Sequence, residues 1–444
     1  MDVRRLPKDP GPAAWNALLP SAASRPVLKE HAKADWLVIG AGFTGLSAAR
    51  RLAELHPGDR IVVLDATTIA DGPAGRNSGF MIDLPHDLTS SDYRGSADKD
   101  HRDTRLSRAG INYALDAKST YGMSDEAIVL SGKINGAVSA RGVTHNNTYA
   151  AHLDSLSEPY ERLDAKAMQS LTGSPVYIDG LFSPGTAMLQ PALYIRELAR
   201  GIESNHVHVY ERTPVVKLEQ VDAIWKTTTR DGSVVAPNVI LAVNGHLESF
   251  GFYQQQLMHV FTYASMTDPL TKAQLNRLGG EPRWALTPAD AMGTTVRRIA
   301  DTGGHRLIIR NRATFDPTLE VSDARIQKVA RTHDQSFRYR FPMLDDVKMA
   351  FSWGGRLCLS RNNVPAFGEI DQGLYAACCQ NGLGTAKGTI AGKLAAELAS
   401  GERSSLLDDI QADEQPTRLP PAPIAALGGN AVLRWGEWRA GKEL

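Results

Sequence analysis

Three glycines near the start of the chain have the spacing of a phosphate-binding turn. Gly40, Gly42 and Gly45 form the pattern G-x-G-x-x-G. The first glycine of such a turn permits the sharp bend, the second lets the backbone approach a pyrophosphate, and the third lets a helix pack closely on a strand. Free N–H groups at the start of the helix, aided by the helix dipole, bind the phosphates. The motif therefore predicts a dinucleotide site, with Phe43 and Thr44 in the same turn.

The residues around this turn have the order of a βαβ unit. Short apolar runs at 36–39 and 61–64 predict two buried parallel strands, and Gly45–Leu55 is the predicted helix between them. Asp65 follows the second strand, 20 residues after the last glycine, where a carboxylate reaches a ribose hydroxyl. Asp65 and the adjacent Ala66 are therefore predicted to contact the cofactor. The alternative is an ordinary βαβ turn, but the strand, helix, second strand and acid that accompany the glycines favour the dinucleotide site.

The composition argues against several classes of protein. The chain has 444 residues, enough for more than one core, and its 49 basic residues balance 49 acidic ones. Zero net charge argues against a broad nucleic-acid surface. Three cysteines cannot form a disulfide framework, and no Cys or His cluster predicts a metal site. Without an apolar leader or a run of about 18 apolar residues, we expect a cytoplasmic protein with no membrane span.

Sheet-forming segments recur late in the chain. Apolar runs at Asn238–Val243 and Leu374–Cys378 predict further buried strands, and the second leads through a glycine-rich turn into a helix at Thr389–Ala399. Four extended segments predict a second, mainly antiparallel sheet: Met258–Met266, Thr294–Ile299, Arg306–Arg310 and Val347–Ser352. Because the nucleotide unit lies at the start while sheet strands return much later, the nucleotide-binding domain must be discontinuous.

Four segments carry a resemblance to a known family. They are Val38–Asp65, Gly72–Phe80 (GPAGRNSGF), Trp353–Gly368 (WGGRLCLSRNNVPAFG) and Gly373–Gly392 (GLYAACCQNGLGTAKGTIAG). Together they resemble the glycine/D-amino acid oxidase superfamily of FAD enzymes, and within it the γ-glutamylputrescine oxidase-like branch. The first segment is shared by many flavoproteins, whereas the second and fourth are more specific. Their order and spacing match over nearly the whole chain.

The resemblance implies an α/β fold (α+β overall). A Rossmann-like FAD-binding domain of the glutathione-reductase type would be accompanied by a substrate domain with a second, mainly antiparallel sheet. The predicted boundaries are 34–84, 173–249 and 361–402 for the FAD-binding domain, 85–172 and 250–360 for the substrate domain, 1–33 for an N-terminal arm and 403–444 for a C-terminal tail.

The resemblance also implies which residues bind FAD. Beyond the glycine motif and Asp65, the implied contacts are Val215 at the adenine, Gly75, Arg76, Asn77, Ser78 and Gly79 around the pyrophosphate and flavin edge, Asn244 and Gly245, and Gly382, Leu383, Gly384 and Thr385 beneath the flavin ring and ribityl chain. Leu383 stands where the family has a histidine, and Cys378-Cys379 stands where it has two glycines. Cys358 lacks the offset from Pro365 found in relatives with covalent flavin, so we expect noncovalent FAD.

Five side chains are candidates for substrate or catalytic contacts. Arg356 lies near the position of the carboxylate-binding arginine of family amino acid oxidases, and Arg310 ends a strand that in relatives approaches the flavin. His259 and Tyr263 alternate to one face of a strand that would cross above the flavin. Lys387 follows the glycine turn and would pair with a substrate carboxylate or a flavin oxygen. Exposed arginines, a half-buried strand and a solvent-facing lysine are the structural alternatives.

The implied reaction is oxidation of a C–N bond in a small amine or amino acid. A hydride would pass to flavin N5, and the imine would hydrolyse to a carbonyl compound and an amine; oxygen or a respiratory carrier would accept the electrons. Leu383 motivates one alternative, a non-catalytic or regulatory flavoprotein. A tRNA-modifying flavoprotein is a second, although zero net charge weighs against it. An NAD-dependent dehydrogenase, suggested by the glycine motif alone, is a third.

Overall fold

The computed structural model of the protein describes residues 1–87, 90 and 93–444. The strands are β1 (His31–Lys33), β2 (Trp36–Ile39), β3 (Ile61–Leu64), β4 (Phe80–Met81), β5 (Ile128–Leu130), β6 (Lys133–Ala137), β7 (Glu161–Asp164), β8 (Asp179–Ser183), β9 (Ala187–Leu189), β10 (Val207–Tyr210), β11 (Val215–Val221), β12 (Ile224–Thr229), β13 (Ser233–Ala236), β14 (Asn238–Leu241), β15 (Met258–Thr267), β16 (Trp284–Pro288), β17 (Thr295–Asp301), β18 (Gly304–Phe315), β19 (Met349–Leu359), β20 (Ala366–Asp371) and β21 (Leu374–Cys378). The α-helices are α1 (Ala14–Ala17), α2 (Phe43–Leu55), α3 (Ala97–Tyr121), α4 (Ala140–Ser155), α5 (Ala165–Thr172), α6 (Pro191–Ile202), α7 (Lys272–Leu278), α8 (Asp323–Arg340), α9 (Ala386–Ala399), α10 (Ser405–Gln411) and α11 (Ala422–Ala440).

The first sheet is parallel except at one edge. Its order is β10-β3-β2-β14-β21-β20, and β20 is the antiparallel strand. In β2, Trp36 and Val38 belong to a core with α2 and α9, while Leu37 and Ile39 pack with the four-stranded sheet β1-β13-β12-β11. Covered on both faces, such strands are continuous apolar runs, which is why β2, β3 and β21 have the predicted bounds.

Two helices of this unit begin earlier than predicted. The helix expected from Gly45 begins at Phe43, with Gly42 at its N-cap, and the helix expected from Thr389 begins at Ala386. Glycine has a low helix propensity, but Gly45 and Gly388 lie within α2 and α9, two helices that pack closely against each other. Both helices therefore begin near the carboxyl ends of the strands that precede them.

The second sheet has eight strands in the order β19-β15-β18-β17-β16-β6-β8-β7. All its neighbouring strands are antiparallel except β16 and β6. It contains the four predicted extended segments, although the strand expected at Val347–Ser352 runs from Met349 to Leu359. Strand β8 pairs with β6 and β7 and so belongs to this second sheet. This pairing favours a boundary between the substrate domain and the FAD-binding domain after residue 183, whereas the predicted FAD-binding segment begins at residue 173.

The two ends of the chain pack on this framework. Residues 1–33, expected to lie on a surface as an arm, add β1 to the four-stranded sheet and bury Trp15 completely. The predicted tail, residues 403–444, contains α10 and α11. In the part of the chain that is described, no helix is long and apolar enough to cross a membrane.

The turn between β2 and α2 depends on two glycines. Gly40 has φ +103°, and a Cβ there would lie 2.5 Å from the carbonyl oxygen of Ala242. A Cβ on Gly45 would lie 1.7 Å from the carbonyl oxygen of Gly40. Helix α2 therefore packs directly against the end of β2.

We expect Gly45→Ala to destabilise the protein without cofactor by about 1–3 kcal/mol, because the backbone must move to admit a methyl group. Thermal unfolding of the apoprotein measures this. Gly58→Ala is the matched control, since a Cβ there has no neighbour within 4 Å. Equal melting temperatures for the two variants would contradict this account of the turn.

Candidate active site

A cavity of about 290 Å³ lies between the two large sheets. The segments that follow β2, β3, β14 and β21 form one wall, which is the end of a parallel sheet where ligands bind in open α/β folds. The eight-stranded sheet forms the opposite wall through Thr262 of β15, Thr295 of β17 and Arg310 of β18. The cavity therefore joins the predicted nucleotide site to the second sheet.

Most of the predicted cofactor residues line this cavity. They are Gly40, Gly42, Phe43, Thr44, Asp65, Ala66, Arg76, Asn77, Ser78, Val215, Asn244, Gly245, Gly382, Leu383, Gly384 and Thr385. Gly45, Gly75 and Gly79 lie behind the lining. A Cβ on Gly75 would lie 1.9 Å from the oxygen of Ala70, and one on Gly79 would lie 2.5 Å from that of Leu189. These three glycines therefore shape the turns from behind.

Gly42 and Gly384, which lie in the two glycine-rich turns of the lining, are not required by the packing of the protein itself. A Cβ on Gly42 would meet nothing closer than the Cβ of Ala74 at 3.5 Å, and one on Gly384 would meet nothing closer than Gln380 at 3.9 Å. Neither has a positive φ. Added side chains would instead enter the cavity. The lining thus leaves space for a group that approaches the backbone, as the predicted pyrophosphate and flavin do.

Asp65 is held in place by the turns on either side of it. Its Oδ2 accepts a hydrogen bond from the Ala41 amide at 2.9 Å, and its Oδ1 accepts from the amide and hydroxyl of Thr67 at 2.8 and 2.9 Å. Burial raises the pKa of this carboxyl, while the three donors oppose the rise. Because the Ala41 amide is the one described donor to Oδ2, this oxygen can accept a second hydrogen bond. The predicted ribose hydroxyl could donate it.

Two buried arginines hold the loop of residues 71–80. The Arg76 guanidinium donates to the carbonyl oxygens of Asp71, Pro10, Gly11 and Gly354. The donors of this guanidinium are therefore used by backbone carbonyls. We infer that Arg76 positions the loop and does not itself bind the predicted pyrophosphate. The second, Arg297, was not predicted because no motif marks it.

Arg297 crosses from the second sheet to the same loop. It donates to the carbonyl oxygens of Ser78 at 2.7 Å and Leu189 at 2.9 Å, and its guanidinium lies 5.0 Å from the Trp15 ring. Burial lowers its pKa to about 10. A charged side chain with carbonyl partners thus fixes Ser78 at the cavity wall.

Leu383, at the position of the family histidine, belongs to an apolar cluster with Phe80, Ile82, Met188 and Ala285. It is 8% exposed and lines the cavity. An imidazole here would have to be desolvated among these side chains. The substitution is therefore consistent with its surroundings.

The N-terminal arm closes part of the cavity. Val3, Arg5, Leu6, Pro7 and Asp9 are all lining residues. Asp9 forms a buried ion pair with Arg356, 2.7 Å from Nη2, and Nη1 of Arg356 contacts His246. Burial, more than the nearby arginine, lowers the pKa of His246 to about 3, so this ring is neutral.

Arg356 was predicted to bind a substrate carboxylate, and the structure corrects this prediction. The side chain lines the cavity, but its guanidinium already has the Asp9 carboxylate as partner. Because 347 residues separate the pair in sequence, no local pattern could reveal it. Arg356 therefore anchors the arm.

His259, Tyr263 and Lys387 lie outside the cavity lining. His259 bonds to Glu248 at 2.6 Å, and Tyr263 bonds to Thr314 at 2.6 Å and packs with residues of α8. The neighbouring Thr262 is the lining residue of β15, so the opposite face of the strand meets the cavity. Lys387 pairs with Asp103 at 2.8 Å. These three predicted contacts are therefore corrected.

Arg310 is the predicted substrate residue that the structure leaves available. It lines the cavity, and its one side-chain hydrogen bond to a described residue is a long one, 3.4 Å from Nη1 to Thr295 Oγ1. Within the described ranges no carboxylate forms an ion pair with it, and burial lowers its pKa. The guanidinium therefore faces the cavity as a cation without a counter-ion from the described chain.

Two more ionisable groups, missed in the sequence, lie at this end of the cavity. His86 stacks on Tyr93 with ring centroids 4.1 Å apart, and burial, with Lys133 and Arg310 nearby, lowers its pKa well below the ordinary value. Lys133 is buried behind Thr287, 3.4 Å from its hydroxyl, and burial lowers its pKa to about 8. Two basic groups and a neutral imidazole therefore lie at this end of the cavity, and the buried carboxylate of Asp83 opposes the fall in the pKa of Lys133.

Comparison with known proteins identifies the family. The family model described as FAD dependent oxidoreductase (DAO) matches residues 35–398. The chain belongs to this family, which confirms the predicted FAD dependence and the prediction of an oxidoreductase.

Individual relatives match along most of their length. The protein named probable oxidoreductase OrdL of Haemophilus influenzae is 25% identical over 407 residues, which cover 87% of this chain and 88% of the relative. Gamma-glutamylputrescine oxidoreductase of Escherichia coli is 25% identical over 403 residues, covering 84% and 85%. The crystal structure of glycine oxidase from Geobacillus kaustophilus matches with a TM-score of 0.70 at 17% identity, covering 88% of this chain and 100% of that one. The structural match confirms the predicted fold class.

We expect Gly42→Val to abolish FAD binding, because its methyl groups would enter the space left beside the backbone. The apoprotein should fold, since Ala74 is the nearest neighbour. Flavin absorbance per protein after reconstitution measures the effect, with far-UV circular dichroism as the check on folding. Wild-type flavin stoichiometry in this variant would show that the site is misplaced.

We expect Asp9→Asn to release the N-terminal arm, because it leaves the buried Arg356 without a counter-ion, at a cost of roughly 3–5 kcal/mol. FAD should then dissociate at least about 10-fold faster, measured by trapping released flavin with an apoflavoprotein. Lys8→Ala is the control, since its pair with Glu320 is 72% and 44% exposed and is worth about 0–1 kcal/mol. Equal release rates in the two variants would contradict the role of the arm.

Proposed function

We propose that the protein oxidises the C–N bond of a small amine that carries an anionic group. The observation behind this proposal is Arg310, a guanidinium on the cavity wall without a carboxylate partner in the described chain. Guanidinium binds carboxylate or phosphate through paired hydrogen bonds. Support comes from the names of two similar proteins, glycine oxidase and gamma-glutamylputrescine oxidoreductase, because both name amines that carry a carboxylate.

FAD, when bound, supplies the acceptor for the hydride that leaves the carbon next to nitrogen. We propose that it is held without a covalent bond. Cys358 lines the cavity, but burial raises the pKa of its thiol well above the ordinary value. The thiolate that would have to attack the flavin is therefore disfavoured. Acid precipitation should leave yellow flavin in the supernatant, and colour retained in the pellet would contradict this.

The charges around Arg310 favour the reactive form of the substrate. An amine gives up hydride only when its nitrogen is unprotonated, and nearby cations lower the pKa of an ammonium group. Arg310 and Lys133 provide this field, while His86 stays neutral. The acidic residues of the described lining, Asp9 and Asp65, lie on the arm and at the nucleotide turn. This end of the cavity would therefore bind the anionic group and keep the amine neutral.

Leu383 supports one alternative, a flavoprotein that binds FAD but oxidises no amine. Leu383 lies in an apolar cluster. Unlike the family histidine, it offers no polar group to the cofactor. Both hypotheses predict a flavin that dithionite reduces. The proposed function alone predicts that an amine substrate also reduces it, so reaction with a substrate separates the two.

Anaerobic reduction of the holoenzyme by a panel of amines tests the proposed function. The panel contains D- and L-amino acids, N-methyl glycines and γ-glutamyl polyamines, together with neutral amines of the same length. We expect rapid loss of visible flavin absorbance with amines that carry a carboxylate and little loss with their neutral counterparts. If no member bleaches a flavin that dithionite reduces, the alternative is favoured and the proposed function is contradicted.

We expect Arg310→Met to raise the KM for the anionic substrate by roughly 10- to 100-fold, because a charged hydrogen-bond donor is lost. Arg310→Lys should recover part of this effect. The KM for a matched neutral amine, measured by steady-state kinetics, should hardly change. An equal effect of Arg310→Met on both substrates would contradict anion binding by Arg310.

A further inference from the structure

Helix α11 has an apolar face that no described residue covers. Ile424, Leu427, Val432, Trp435 and Trp438 are all exposed, Leu427 and Trp438 by 77% each. At 3.6 residues per turn these five side chains fall within an arc of about 140°. Large apolar groups are rarely gathered on a protein surface in this way unless the surface meets a partner.

Polar contacts on the opposite side fix the orientation of the helix. Glu437 is buried and bonds to Arg312 of β18 at 2.6 Å and to the Ala313 amide at 3.3 Å. Asn430 accepts from the Phe315 amide at 3.0 Å and donates to the Phe315 carbonyl at 2.9 Å. Turning the apolar face inward would break these bonds and bury ionised groups. The apolar side chains are therefore held outward.

The charges that accompany this face are basic. Glu437 and Glu443, the acidic residues of α11 and of the turn after it, are both buried and hydrogen-bonded. Arg439 and Lys442 are exposed, and neither forms an ion pair with a described residue. The Arg439 guanidinium lies over the Trp435 ring at 4.5 Å. The outward surface thus combines tryptophan, aliphatic side chains and unpaired positive charge.

This combination matches the surface of an anionic bilayer. Helices that lie in the membrane interface bury one apolar face among the lipid head groups and carry Lys and Arg beside it, and tryptophan favours this depth. Basic residues near such a surface are attracted by its negative charge. We propose that α11 docks the protein on anionic phospholipid, with the helix axis in the plane of the membrane.

A second copy of the chain is a less suitable occupant. With 19 residues, α11 is about 28 Å long and 10 Å wide, so its exposed face covers roughly 300 Å². A stable dimer interface buries about 800 Å² per partner. The helix alone is therefore too small for a dimer, whereas a bilayer can take it up without a matching protein surface.

Docking through α11 would bring one part of the cavity wall towards the membrane. The helix is bonded to Arg312, Ala313 and Phe315 of β18, the strand that also carries Arg310. A docked enzyme would therefore hold the charged end of its cavity near the bilayer, where hydrophobic electron carriers reside.

Co-sedimentation with vesicles tests the proposal. The purified holoenzyme is mixed with vesicles of phosphatidylcholine alone or of phosphatidylcholine and phosphatidylglycerol in equal amounts. We expect binding to the anionic vesicles that weakens as salt is raised, and little binding to the neutral ones. No sedimentation with anionic vesicles at low salt would overturn the proposal.

Two variants and a control locate the surface. Trp435→Ser with Trp438→Ser should weaken binding at least about 10-fold through lost apolar burial, and Arg439→Gln with Lys442→Gln should remove the preference for anionic lipid. The control, Val221→Ser with Ile224→Ser, changes exposed apolar residues on the β11–β12 hairpin and should bind like the wild type. Flavin content and thermal unfolding verify that each variant is folded. Equal loss in the control, or a dimer in light scattering that the tryptophan variant abolishes, would overturn lipid docking.

Discussion

The bonds from buried guanidinium groups to backbone carbonyls at the loop of residues 71–80 hold the rest of the site together. Arg76 joins this loop to the N-terminal arm and to β19, and Arg297 joins it to β17 and β9. The acceptors are neutral carbonyl oxygens, and an arginine stays charged with such partners. The hydrogen bonds of the loop therefore need no carboxylate, which would repel a pyrophosphate. The two sheets, the arm and the turn of α2 therefore meet around one cavity. Each of these parts supplies residues to its lining.

This arrangement divides the cavity into two electrostatic regions. At the nucleotide end, backbone amides and the start of α2 offer donors, and the carboxylate of Asp65 accepts hydrogen bonds from two backbone amides and the Thr67 hydroxyl. At the other end, Arg310 and Lys133 are the basic groups, and burial together with these two charges lowers the pKa of His86, which stays neutral. The arm contributes the other acidic residue of the described cavity lining, Asp9, which Arg356 already neutralises. The substrate that we propose, an anionic amine, complements the Arg310 guanidinium, which has no carboxylate partner in the described chain.

Much of the nucleotide unit could be predicted because its signals are local. Strands β2, β3 and β21 are continuous apolar runs between turn residues, and the glycine motif occupies consecutive positions. The choice of face in β15 could not be predicted, because both of its faces are largely buried and no polar alternation marks one. The partners of Arg356 and Lys387 are distant in sequence, and Arg297 and Lys133 belong to no motif. Helix α11 contains Gly428, Gly429 and Gly436, which weaken the helix signal in its sequence, and it is bonded to the distant strand β18.

The central claim is that bound FAD and the Arg310 guanidinium share one cavity, and a ligand that cannot react tests it most directly. The oxidised holoenzyme is titrated with a carboxylate of substrate length that lacks the amine, while the visible absorbance of the flavin is followed. Our account predicts a saturable change in the flavin spectrum for the wild type and its loss in Arg310→Met with flavin content unchanged. No spectral change in the wild type, or the same titration curve in Arg310→Met, would contradict it.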